Sequence, residues 1–416
     1  FSIVKFFLIK MESIFKFDSD ENIISYSQKK QDYVKISPTT GSANNLNKNG
    51  QILYEVNNQA SFLFYPKSFL VCEFTITKED GTALPSADNI TLEHNFFLRL
   101  FSQLRIQVGT TTIEEIQNPG EADTLIKSVT TSDSFNKNEG ELCGWIPEHN
   151  RRMKIYNTNN KFRLRWYLNP LLGFTDFNKI IWGLKVYLSL NRNIDNENIF
   201  YGTTAGKDAK INIENLTWWI PQITPSLEVE SHVTKRLNSN KDIAFTILKR
   251  TMIYTTIEAQ KYQWKIANIS NSPRYLIFGF KLDNSAFDKD NNRFISYDGT
   301  KEIKSLRVAL NQTYYPIDKM EFSAINNLMD HPYNDYCEMC KIFGVEPQLD
   351  YLTYKNDYSI FCFDLSSQQE DLKKNGIDIT LIIEKSNNFN LKAYCLLLED
   401  SKYYIKTHEG SMVRIE

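Results

Sequence analysis

The chain has 416 residues, 42% of them apolar and 24% charged, with 48 basic side chains against 50 acidic ones and a formal net charge of −2. Single cores usually stop growing near roughly 250–300 residues, so two domains are the default expectation, and the apolar share excludes bulk disorder. The longest basic clusters are pairs such as Lys29–Lys30 and Arg151–Arg152, which argues against direct nucleic-acid binding as the main task.

The chain opens on "FSIVKFFLIK", ahead of Met11. No small-residue cleavage site follows, so the run fails as a signal peptide, and it is too short to cross a bilayer. Met11 is expected as the natural start, with residues 1–10 not native. No other run approaches transmembrane length. Residues 18–60 are polar and contain "TTGSANNLNKNG" at Thr39–Gly50, which predicts a loose N-terminal arm followed by a loop.

Strand-like runs dominate from there. The first half carries "FLVCEFTIT" (Phe69–Thr77), "LRIQV" (Leu104–Val108), "FRLRWYL" (Phe162–Leu168) and "IIWGLKVYLSL" (Ile180–Leu190). The second carries "IAFTILKRTMIYTTI" (Ile243–Ile257), "YLIFGFKL" (Tyr275–Leu282), "LRVAL" (Leu306–Leu310), "YSIFCFDL" (Tyr358–Leu365), "IDITLIIEK" (Ile377–Lys385) and "LKAYCLLLED" (Leu391–Asp400). They are short, rich in β-branched and aromatic residues, and bounded by Asn, Asp and Gly clusters. Helical patterns are confined to Glu121–Val129, Phe322–Asp330 and Asp335–Phe343. Strands and helices do not alternate, so an all-β sandwich or barrel pair is expected rather than a doubly wound parallel sheet.

The two halves echo each other. "SQLRIQVGTTTIEEI" from Ser102 matches "KSLRVALNQTYYPID" from Lys304, and "FLVCEF" from Phe69 matches "YLIFGF" from Tyr275. "FRLRWYL" answers "YSIFCFDL", "GLKVYLSL" from Gly183 answers "GIDITLIIE" from Gly376, and the run into Trp218–Trp219 answers "AYCLLLED". Each match alone is weak, because amphipathic strands look alike. Their common order favours a duplicated strand-rich unit over two unrelated β domains.

Candidate chemistry is sparse. Six cysteines are scattered at 72, 143, 337, 340, 362 and 395, which predicts free thiols rather than a disulfide framework. Cys337 and Cys340 form a C-x-x-C, but a zinc site needs about four ligands, and only His331 lies near in sequence. Both thiols are expected on one side of a short helix, partly buried. "DKDNNRFISYDG" (Asp288–Gly299) opens like an EF-hand loop but has Arg293 and Gly299 where the turn glycine and bidentate Glu belong. None of the five histidines (94, 149, 232, 331 and 408) adjoins a nucleophile motif. Asp364 and Glu384 are the carboxylates to inspect for paired acid–base work. Asn-x-Ser/Thr triplets at Asn89, Asn215, Asn268 and Asn311 fit chance in an Asn-rich chain. No catalytic, cofactor or metal residue is assigned. The aromatic share of 13% keeps a β-sandwich carbohydrate-binding protein or glycoside hydrolase as the alternative class.

"ISNSPRYLIFGF", "YPIDKMEF", "YSIFCFDLSSQQEDLKKNGIDITLIIEK" and "AYCLLLED", in that order, resemble the second jelly roll of double jelly-roll major capsid proteins. The resemblance is to the Polinton, adintovirus and virophage-like group of eukaryotic DNA viruses, and it runs from about Tyr54 to Ile405. It implies a non-enzymatic structural protein, an all-β fold of two consecutive jelly rolls, and homotrimers forming pseudo-hexagonal capsomers of an icosahedral shell. It also implies capsomer–capsomer contacts, penton and minor capsid proteins as partners, a virion location, no membrane span and no sequence-specific nucleic acid. The expected division is residues 1–50 as arm, 51–222 as first jelly roll and 223–416 as second. "LTWWIPQITPSLEV" (Leu216–Val229) resembles the passage between them. There Trp218 and Trp219 are expected on opposite faces of a last strand, with Pro221 and Pro225 stopping the ladder and stiffening a crossing.

Overall fold

A computed structural model describes residues 28–39, 46–57, 62–78, 80–82, 91–156, 161–180, 183–193, 199–201, 209–238, 241–270, 272–282, 293–311, 313–366, 377–406 and 411–415. The N-terminal run before Met11 and the first five residues of the EF-hand-like loop, 288–292, lie outside the described residues.

Eight strands make the first sandwich: β1 (Gln28–Ile36), β2 (Gly50–Val56), β3 (Phe69–Lys78), β4 (Phe101–Val108), β5 (Thr111–Gln117), β6 (Lys161–Tyr167), β7 (Val186–Arg192) and β8 (Ala209–Pro225). They pair as two antiparallel sheets, β1-β8-β3-β6 and β2-β7-β4-β5. Eight more frame the second: β9 (Ile243–Ile257), β10 (Lys261–Ser270), β11 (Pro273–Leu282), β12 (Lys301–Leu310), β13 (Thr313–Tyr315), β14 (Ile360–Asp364), β15 (Ile377–Lys385) and β16 (Leu391–Lys406), with the short strands Tyr297–Asp298 and Ser411–Ile415 added beside β12 and β16. Their sheets are β9-β16-β11-β14 and β10-β15-β12-β13. Adding eight to each strand of the first sandwich gives the order of the second. This is the eight-stranded double-sheet jelly roll, wound twice.

The sequence echoes fall on matching strands. The Leu-Arg-Ile and Leu-Arg-Val runs lie on β4 and β12, and the other four pairs on β3 and β11, β6 and β14, β7 and β15, and β8 and β16. Two-residue alternation builds the cores. Along β15, Ile377, Ile379, Leu381 and Ile383 are buried while the residues between them are half-exposed. The buried side chains of both sandwiches join in one connected core.

Two helices follow the fifth and thirteenth strands: α1 (Pro119–Thr130) and, after a longer segment, α3 (Asp330–Ile342). Between the sandwiches runs α2 (Leu227–Asn238), which buries Val229 and Val233 against Phe64, Ile180 and Ile223. The described residues contain no helix long and apolar enough to cross a membrane.

Three expectations are corrected. The predicted arm becomes β1 from Gln28, paired along β8 from Gln28↔Pro225 to Ile36↔Trp218. Its edge position needs few apolar residues, and only Val34 and Ile36 pack against the core. The strand through Trp218 and Trp219 does not stop at Pro221. It runs to Pro225, with Pro221 opposite Tyr33 and its carbonyl accepting the Phe64 amide at 2.9 Å. Proline forfeits one donor but keeps its acceptor. The expected division at 222/223 therefore falls inside β8, and α2 makes the crossing. Finally, Phe322–Asp330 is a closed turn rather than a helix. Ser323 and Leu328 exchange two backbone bonds of 2.8–2.9 Å, and Asn327 adopts φ 58°.

Trp218 and Trp219 do face opposite ways. Trp218 is fully buried between Tyr54 and Tyr65, at ring distances of 6.3 and 5.8 Å. Trp219 lies outside, stacked on Phe69 at 6.4 Å with Lys35 5.9 Å over its ring. Trp218→Ala is expected to cost about 3–5 kcal/mol, and Trp219→Ala about 1 kcal/mol. Urea midpoints of the two variants provide the comparison.

Candidate functional site: the seam between the sandwiches

The chain's most concentrated buried polar chemistry lies where the sandwiches meet. β5 is the edge of one sheet of the first sandwich, and β9 is the edge of one sheet of the second. They pack against each other, with the one-turn helix Gly173–Asp176 on β9. A bulge makes this contact. Ile106 faces Glu114 and Gln107 faces Thr112, so Ile113 is the extra residue. Ile113 and Glu114 are consequently both buried, at successive positions.

Glu114 has no exposed surface. Its carboxylate accepts the amides of Gly173 at 3.0 Å and Phe174 at 2.8 Å from its own sandwich, and of Arg250 on β9 at 2.8 Å. Burial raises its pKa above the ordinary carboxylate value, against the pull of Arg250 and the three amides. The Arg250 side chain is itself buried and reaches Asp176 and the Leu248 carbonyl. Tyr403 on β16 adds a bond to the Ile113 carbonyl at 3.3 Å. Gly173 permits this approach. A Cβ there would sit 2.1 Å from the Leu248 carbonyl oxygen.

α1 is the second half of the seam. Glu121, in its first turn, pairs with Arg99 at 2.5 Å and with Lys281 of β11 at 2.9 Å. Burial pushes the Glu121 carboxyl up, but Arg99 and Lys281 outweigh it and hold it at about 2. Lys281 is lowered to about 8 by burial and by Arg99, against the attraction of Glu121. Two cations on one carboxylate hold Glu121 down, whereas burial is the main cause for Lys281. Lys127 and Asp123 pair at 2.6 Å inside α1, with the ammonium over Trp145 and Trp166. The far end of α1 is gripped by the second sandwich. Tyr336 of α3 donates to the Ser128 carbonyl at 3.1 Å, and Gln348 to that of Lys127 at 2.9 Å.

A cavity of about 370 Å³ opens beside this grip, lined from both sandwiches. At its wall His94 is buried 4.2 Å from the Trp145 ring, and burial with Arg152, Lys127 and Arg99 keeps it neutral by lowering its pKa well below 6.5. The cavity's charged walls are internally paired, Lys137 with Asp133 at 2.5 Å and Arg293 with Asp357 at 2.8 Å.

The residues singled out in the sequence lie elsewhere or serve structure. Cys340 is buried on α3 and Cys337 half-buried, and burial raises both thiols, Cys340 to about 12. His331 is exposed beside Asp330. No group of three or more metal-ligating side chains occurs among the described residues. Asp364 caps the Ser366 amide at 2.8 Å on β14. Glu384 on β15 is tied to Lys319 at 2.8 Å and Lys261 at 3.1 Å, which lower its pKa. The two carboxylates thus belong to different sheets and different partners. Asn215 bonds Glu73, Asn311 accepts the Asp378 amide, and Asn89 and His408 lie outside the described residues. Sequence reasoning missed Glu114, Gly173, Asp176, Glu121, Arg250 and Lys281. The one available signal was the acidic pair in "TTIEEIQ", which breaks an otherwise alternating strand.

A profile of the double jelly roll-like domain matches residues 90–402, and the chain belongs to that family. No curated protein matches it. Among solved structures, a chain of the Sputnik virophage particle matches 96% of this chain and 90% of its own length, at TM-score 0.61 and 11% identity. The Faustovirus major capsid protein matches at 0.59 and 10% identity, covering 96% and 98%. The mavirus major capsid protein matches at 0.55 and 11%, covering 96% and 93%. At such identities the likeness is one of fold.

Glu114→Ala leaves three buried amides without their acceptor, at about 1–3 kcal/mol each. Gly173→Ala forces the seam apart. Both variants are expected to lower the urea midpoint sharply, whereas Glu115→Ala, on the exposed neighbour, leaves it within experimental error. Glu121 titrates near 2 when folded against 4.5 in the free side chain. Its stabilisation is therefore complete above pH 4.5 and lost as pH falls toward 2. Urea midpoints stepped through that window should fall less steeply for Glu121→Gln than for the unaltered chain.

Proposed function

We propose that this chain is the major capsid protein of an icosahedral DNA virus, a structural protein without enzymatic activity. The observation that carries the reading is one jelly roll built twice in a single chain and locked across a buried seam. A closed trimer of such chains presents six similar sandwiches, which is what sixfold-like tiling requires of threefold symmetry. Several features support the role. The sandwiches are joined rigidly, so the unit keeps its shape under lateral load. The net charge of −2 lets neighbouring particles pack side by side without strong repulsion. The capsid proteins of similar fold, from Faustovirus and mavirus, point the same way.

In this reading the partners are further copies of the chain, first within a homotrimer and then between capsomers, together with penton and minor capsid proteins at special positions. The location is the virion capsid. Purified protein is expected to scatter light as a trimer and to appear in negative stain as pseudo-hexagonal particles or shells. A species that stays monomeric at high concentration would overturn the proposal.

A further inference from the structure

The seam inside the chain has an unfilled counterpart. Strand order makes β1 the equivalent of β9 and β13 the equivalent of β5. Within the chain, β5 of the first sandwich packs on β9 of the second. Among the described residues, β1 packs on β8 and β2 of its own sandwich, and β13 and its following segment pack on their own sandwich through Tyr315, Phe322 and Lys319.

Both surfaces carry uncovered apolar groups. After β13 come Ile317, 79% exposed, Met320 at 42%, and Leu328 at 56%. On β1, Tyr33 is 46% exposed and lies 5.8 Å from the Phe69 ring, on which Trp219 is stacked at 6.4 Å. Apolar side chains left in water on two edges that are equivalent to the halves of the seam make these edges candidates for an interaction site.

The register also shows which residues take the places of those in the seam. Arg250 lies opposite Leu398, which lies opposite Tyr275, the first residue of "YLIFGF". Lys35 lies opposite Trp219, which lies opposite Phe69, the first residue of "FLVCEF". Lys35 thus occupies the place of Arg250. On the other side, Glu114 faces Ile106, and Tyr315 faces Val308, its counterpart in the second echo. Tyr315 holds the position of Glu114, and the exposed Asp318 follows three residues later.

We infer that the edge formed by β13 and residues 316–328 of one copy seats on the Tyr33, Lys35 and Trp219 face of the next copy. The contact repeats head to tail the way β5 seats on β9, with Asp318 facing Lys35. Because the surfaces differ, the contact is heterologous, and in the trimer proposed above it closes as a ring of three. The inference rests on the trimeric reading above and adds which faces make it.

The test uses the full chain, with mass by light scattering across a dilution series and melting temperature as a separate check on folding. Ile317→Asp and Tyr33→Asp change exposed side chains, so each should leave the melting of the isolated chain intact. Each should raise the concentration at which the trimer dissociates about tenfold or more, as central interface residues do. Lys35→Glu and Asp318→Lys should each weaken the trimer, and together restore it. If the unaltered chain is trimeric and either aspartate variant dissociates as it does, the interface lies elsewhere and the trimeric reading survives. If the charge swap brings no recovery, the pairing of Lys35 with Asp318 is wrong. A monomeric unaltered chain removes both the inference and the reading beneath it.

Discussion

The arrangement depends on a carboxylate taken out of water and surrounded by amides from both halves of the chain. An isolated buried carboxylate is unfavourable by many kcal/mol, so it persists only where hydrogen bonds replace its hydration. Glu114 meets that demand with Gly173, Phe174 and Arg250. Two of these donors fix the turn beside β5, and the third fixes β9. A shift of the sandwiches by a few tenths of an ångström lengthens bonds that have no solvent substitute. Apolar contact sets the area of the seam, and the carboxylate sets its register.

The Arg99, Glu121 and Lys281 cluster serves the same purpose at the other end, with a different balance. One carboxylate between two cations leaves a surplus positive charge, and Lys281 lies over the Phe294 and Tyr394 rings at 5.5 and 5.6 Å. Ring faces are a favourable place for such a charge where water is scarce. Buried ion pairs are modest contributors to net stability but strongly penalise any arrangement that separates them. Here they penalise a hinge between the sandwiches.

Much of the architecture was legible in the sequence because it rests on period-two burial. The runs on β3, β9, β11, β15 and β16 alternate or are wholly apolar, and their shared order exposed the duplication. What escaped was set by tertiary partners. β1 is polar because it is an edge with a largely solvated outer face. Phe322–Asp330 has a helical spacing of apolar residues, but buried Glu302 accepts the Ser323 hydroxyl at 2.8 Å and holds the segment as a turn. Glu114 looks like any surface acid, since neither the bulge at Ile113 nor the second sandwich is visible from its neighbours. The metal and carboxylate candidates were weighed on spacing alone, and the fold distributed them among separate elements.

Glu114 also has a bearing on how the chain is made. Its third donor lies 136 positions further along. During synthesis the Gly173 and Phe174 amides are made before the Arg250 amide, so the carboxylate lacks one of its three partners until β9 emerges. The half-made molecule therefore retains a reason to stay open at this edge until β9 leaves the ribosome. The two sandwiches look like separate domains in topology, yet they are coupled in the order in which they reach their final packing.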